Sequence, residues 1–103
     1  MFHTKSFTKK KVSWPTAILL NGDAIRVKLL EISEEAAVIE SEGKFKENQR
    51  VKLISKAIIN SEQVNIICNA YVRYTILCRT GYKIELKFDH LNDKIKSFLS
   101  FLL

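Results

Sequence analysis

Leu29-Leu30-Glu31-Ile32-Ser33-Glu34-Glu35-Ala36-Ala37-Val38-Ile39-Glu40 decides the fold, because two runs of strand-forming residues meet there at a short acidic turn. One extended segment enters the core, reverses at Glu34-Glu35, and a second leaves antiparallel to it. Upstream, Ile25, Val27 and Leu29 share one face while Arg26 and Lys28 share the other. At Leu30 and Ile32 the apolar phase slips by one residue. Such a slip turns later side chains to the opposite face, so it predicts a β-bulge or a strand that bends as a barrel closes.

Before this strand, Asn21-Gly22 is the strongest hairpin signal in the chain, since both residues tolerate the positive φ of a type I′ turn. Val12, Trp14, Ala17 and Leu19 predict the strand leading into it, with Pro15 restricted to an edge, a bulge or a strand start. Downstream, Ala37 to Ile39 is a third strand, Ser41 to Lys44 a turn and Phe45 to Asn48 a loop. Val51 and Leu53 lie on a fourth strand that closes near Asn60-Ser61. Val64, Ile66, Cys68, Ala70, Val72, Tyr74 and Ile76 then hold a period of two, the mark of one long strand. Arg79-Thr80-Gly81 turns the chain, and Tyr82, Ile84, Leu86 and Phe88 alternate with Lys83, Glu85 and Lys87. From Leu91 the period becomes helical, through Ile95, Phe98, Leu99 and Leu102, with Asp89 or Asn92 placed to cap the helix. Several strands and one terminal helix predict a mainly β fold, an antiparallel barrel with the helix, at about 91–103, over one opening.

The 103 residues amount to one domain, and 47% apolar with 27% charged residues is a globular composition. Residues 1–11 carry no strand or helix period and are expected to be a flexible basic tail, leaving 12–103 as a single barrel domain. Lysines 9, 10 and 11 before the apolar Val12 to Leu20 imitate a signal peptide, but Pro15 and the Asn-Gly turn break that pattern. No run approaches the length of a membrane helix, so the chain is expected in the cytoplasm without membrane insertion. Cys68 and Cys78 fall in apolar surroundings with no metal-type spacing, and both are expected as buried free thiols. His3 and His90 have no nucleophile or acid at a triad spacing, and no glycine loop could cradle a phosphate, so an enzyme is the least favoured class.

The order of a basic tail, a Val-Ser-Trp-Pro strand (12–15), a hairpin, a Glu-x-Ser turn (31–33), a long alternating strand, Gly-Tyr-Lys-Ile-Glu-Leu-Lys-Phe (81–88) and an amphipathic helix resembles the PilZ domain over nearly the whole chain. The resemblance implies a six-stranded antiparallel β-barrel with one C-terminal α-helix. Many members bind the bacterial second messenger cyclic di-GMP through an Arg-x-x-x-Arg tail and an Asp/Asn-x-Ser-x-x-Gly turn. Here the tail aligns as Lys5-x-x-x-Lys9, next to Lys10, and the turn as Glu31-x-Ser33-x-x-Ala36. The spacing is kept, while only Ser33 keeps its type. A lysine attracts phosphate but lacks the planar fork that grips and stacks on guanine, and each lost bidentate contact is worth about 1–3 kcal/mol. Glu31 carries its carboxylate one methylene further out, and Ala36 stands where the family has a glycine.

These departures point to a non-enzymatic PilZ-type regulatory or protein-interaction module with cyclic di-GMP binding weak or lost, no cofactor, and a protein partner in a signalling or motility pathway. Two alternatives stay open. One is a cyclic di-GMP receptor in which Lys5, Lys9 and Lys10 clasp phosphates while Ser33 and Glu31 meet a guanine edge. The other, less favoured, is a small barrel that binds nucleic acid, with Tyr71 and Trp14 as stacking platforms. The net charge of +6 permits either without choosing.

Overall fold

The computed structural model describes residues 10–59 and 61–102. Strands β1 (Lys10–Lys11), β2 (Pro15–Leu20), β3 (Asp23–Ile32), β4 (Ala36–Ser41), β5 (Arg50–Ile59), β6 (Glu62–Cys78) and β7 (Gly81–His90) precede helix α1 (Asp93–Leu102). All pairings are antiparallel, in the order β1-β3-β2-β5-β6-β7-β4. A further pairing of β3 with β4 joins the two ends, so six strands form a closed barrel and β1 is an addition to β3. Closure leaves the barrel without a free sheet edge along its paired rows.

The β2–β3 hairpin turns at Asn21 (φ 52°) and Gly22 (φ 86°), the two positive values a type I′ turn requires. In β3 the register against β4 shifts between Leu29 and Glu31, where the apolar phase slips in the sequence. The extra residue bends β3 so that β1, β2 and β4 can all pair with it. Ile18, Leu29, Ile32, Ile39, Leu53, Ile66, Val72, Ile84 and Leu86 fill the interior with almost no exposed surface. Each such burial stabilises the barrel by about 1.5–3 kcal/mol over an exposed side chain. Leu91, Ile95 and Leu99 belong to the same core, which places α1 over a barrel opening. Asn92 caps the helix, its Oδ1 accepting from the Ile95 amide at 2.8 Å.

Four expectations shift. Lys10 and Lys11, assigned to a flexible tail, form a ladder with Ile32 and Glu31. In β2, where the apolar Ala17 and Leu19 mark the strand, the residues that face inward are Thr16 and Ile18, because the interior accepts Thr16 through a hydroxyl pair with the buried Ser55 at 3.0 Å. A second register shift between Val72 and Tyr74 breaks the long alternation of β6, so Ile76 stands 51% exposed instead of in the core. Cys68 is buried, whereas Cys78 lies at the half-exposed end of β6. No described helix is long and apolar enough to cross a membrane.

Candidate functional site

The turn between β3 and β4 is built around one hydroxyl. Ser33 is 1% exposed, and its Oγ accepts from the amides of Glu35 at 3.2 Å and Ala36 at 3.1 Å. The same hydroxyl donates to the Ala36 carbonyl at 3.3 Å, and the Ser33 amide donates to that carbonyl at 2.9 Å. Serine folds back onto amides two and three residues ahead because its side chain is short enough to act as a local turn partner. Ser33 Oγ is thereby saturated within its own turn. Ala36 is 6% exposed and lies in strand geometry, absent from the positive-φ residues among those described, so the alanine is accommodated without strain.

The turn is also held from outside. Lys87 on β7 pairs with Glu35 at 3.2 Å, the Phe88 amide donates to the Glu35 carbonyl at 2.9 Å, and Ser100 of α1 donates to Glu34. On the other side Lys10 lies opposite Ile32 and Lys11 opposite Glu31. The end of the basic segment is therefore brought against the Glu31–Ala36 turn, with Lys11 beside the half-buried Glu31. Lys5 and Lys9 lie outside the described residues. The groove bordered by the turn and the start of α1, about 360 Å³, is lined by Glu34, Glu35, Asp89 and Asp93 against His90 and Lys96. That balance of charge disfavours a phosphate ligand in the groove itself.

Around β7, Arg73 reaches Glu85 at 3.6 Å and Arg50 pairs with Asp89 at 2.8 Å. Among the described residues no group of three His, Cys, Asp or Glu side chains is arranged to hold a metal. Trp14, proposed from sequence as a stacking platform, is partly buried and packs against the core, and Tyr71 is half-buried. Burial pushes the Cys68 thiol up to about 12, which removes it from thiolate chemistry at neutral pH. A second groove, about 480 Å³, lies on the outside of the barrel between β2, β3 and β5, with Arg26, Ile54 and Lys56 on its walls. Sequence periodicity gave no sign of it, since it depends on the pairing of strands distant in the chain.

A six-stranded antiparallel barrel capped by one C-terminal helix is the architecture that the PilZ resemblance implies. The structure superposes on that of the Bacillus subtilis inhibitor of motility MotI/DgrA with a TM-score of 0.86, at 15% sequence identity over 95% of this chain and 48% of that one. This chain thus spans about half the length of that protein, and at such identity the likeness is one of fold. No family model matches the sequence. No curated protein matches it either.

Proposed function

We propose that the chain is a PilZ-type regulatory module that acts by binding another protein, without catalysis, and in which cyclic di-GMP binding is weak or lost. The observation that carries this reading is the Ser33 hydroxyl, engaged by Glu35 and Ala36 within its own turn while Lys10 and Lys11 are paired beside it. The frame of a ligand site is present with its contact chemistry changed. Lysines in place of arginines and Glu31 in place of a shorter acid or amide act in the same direction. The likeness in fold to the Bacillus subtilis inhibitor of motility supports a partner in signalling or motility. Two free thiols suit the reducing cytoplasm.

Calorimetric titration of the full chain with cyclic di-GMP tests the reading. No saturable heat at micromolar concentrations is expected. Saturable micromolar binding that disappears in Lys5→Ala and Lys9→Ala would establish the receptor alternative instead. An electrophoretic mobility shift with a mixed oligonucleotide pool separates off the nucleic-acid alternative, for which a salt-dependent shift is required.

A further inference from the structure

Cross-strand register places Arg26 opposite Ala17, Ala17 opposite Ile54, and Ile54 opposite Ile67, one continuous row across the outer surface of β3, β2, β5 and β6. Three inter-strand steps of about 4.8 Å make this row about 14 Å wide, comparable to the diameter of an α-helix with its side chains. Ile67 is 50% exposed, and Ile58 further along β5 is 54% exposed. Apolar β-branched residues on the solvent side of a barrel have no role in its core, which is filled by the opposite face.

Charge on this surface is one-sided. The outward positions of residues 15–20, 24–28, 50–58 and 63–71 include the exposed cations Arg26, Lys28, Arg50, Lys52 and Lys56, with carboxylates only at the border, Asp23 and Glu62 at the exposed starts of β3 and β6. Only Arg50 has an ion pair among the described residues, with Asp89 from β7. Glu31, Glu34, Glu35, Glu40, Glu42 and Glu85 lie on the half of the barrel formed by the end of β3, β4 and β7 and by their turns, meeting the cationic face only along β3, where Glu40 and Glu42 share a groove with Arg26 and Lys28. The walls of the groove between β2, β3 and β5 carry Arg26 and Lys56 on either side of Ala17 and Ile54.

We infer that the outer face of β2, β3, β5 and β6 is the docking surface for an acidic amphipathic segment of a partner protein, whose apolar stripe covers Ile54 and Ile67 and whose carboxylates meet Arg26, Lys52 and Lys56. The inference deepens the proposed interaction module and rests on it. Charge complementarity selects the occupant: unpaired cations flank an aliphatic floor, so the partner presents anions at its edges and apolar groups at its centre. Single-stranded nucleic acid would need several aromatic platforms, and this face offers one, the half-buried Tyr71 opposite Arg50, beside aliphatic side chains and the amides of β6.

The test uses the full chain and three fluorescent probes: a synthetic amphipathic helix with leucines along one stripe and glutamates on its flanks, a mixed single-stranded oligonucleotide, and vesicles of phosphatidylcholine with phosphatidylglycerol. The acidic helix is expected to bind best, more weakly as salt rises, and not at all when its glutamates are replaced by lysines. Ile67→Glu is expected to weaken it about thirtyfold, as loss of a central anchor does, and Lys56→Glu about tenfold. Lys44→Glu, on a loop away from the face, is expected to leave it unchanged; circular dichroism verifies that each variant is folded. Preference for the oligonucleotide or the vesicle, no binding of the acidic helix, or equal losses from Lys44→Glu and Ile67→Glu would overturn the inference. Cyclic di-GMP titrated into the same samples separates the two failures, because micromolar binding there contradicts the proposed function whatever the helix does.

Discussion

Replacing Ser33 by alanine removes one hydroxyl and nothing from the hydrophobic core, so its effect measures what the turn between β3 and β4 owes to that group. The hydroxyl accepts from two amides, those of Glu35 and Ala36, and donates to one carbonyl. A neutral hydrogen bond contributes about 1 kcal/mol net, and a buried donor left without an acceptor costs about 1–3 kcal/mol. Ala36 is buried and Glu35 half-exposed, so one amide loses its acceptor outright and the other turns partly to water. The sum is a loss of about 2–3 kcal/mol. At about 2.1 cal/mol/K of unfolding entropy per residue, a domain of 103 residues converts this into a fall in Tm of about 9–14 °C. Urea unfolding followed by circular dichroism, with an unchanged slope and a lower midpoint, is the assay. A loss below about 0.5 kcal/mol would refute the argument, since it would mean that Ser33 is free to serve a ligand.

Gly81 has φ +144°, and a Cβ built there meets the Ser41 carbonyl oxygen at 2.5 Å, so Gly81→Ala is expected to destabilise by about 1–3 kcal/mol while Gly43→Ala, facing open space, stays near neutral in the same thermal melts. Cys78 is expected to react with a thiol reagent at pH 8 in the folded protein while Cys68 reacts only after unfolding; equal native rates would contradict the burial that raises Cys68. Because the folded thiol titrates above its ordinary value of 9.0, at about 12, the stability due to neutral Cys68 is complete below pH 9 and declines as pH rises towards 12. Cys68→Ala is therefore expected to show a shallower alkaline loss of stability than the parent chain.

Much of the barrel can be read from local pattern. Asn21-Gly22 names its own turn, and the slip at Leu30 marks the bulge in β3 because an apolar side chain that changes phase must change face. The alternation of Ile84, Leu86 and Phe88 maps directly onto the core. Pattern fails where both phases look apolar. Ile76 and Leu77 are adjacent hydrophobes, so nothing local announces the register shift after Val72 that leaves Ile76 51% exposed. It fails again at β2, where Thr16 is inward because Ser55, remote in sequence, supplies a hydroxyl partner. The candidate site divides in the same way: the Ser33 turn is visible in the sequence, whereas the row from Arg26 to Ile67 exists only through the pairing of four strands.

The central proposal is of a PilZ-type module in which cyclic di-GMP binding is weak or lost. Isothermal titration of the full chain with cyclic di-GMP addresses it most directly. Heats of dilution alone are expected across micromolar ligand. A saturable micromolar isotherm, abolished by Lys5→Ala and Lys9→Ala, would contradict it.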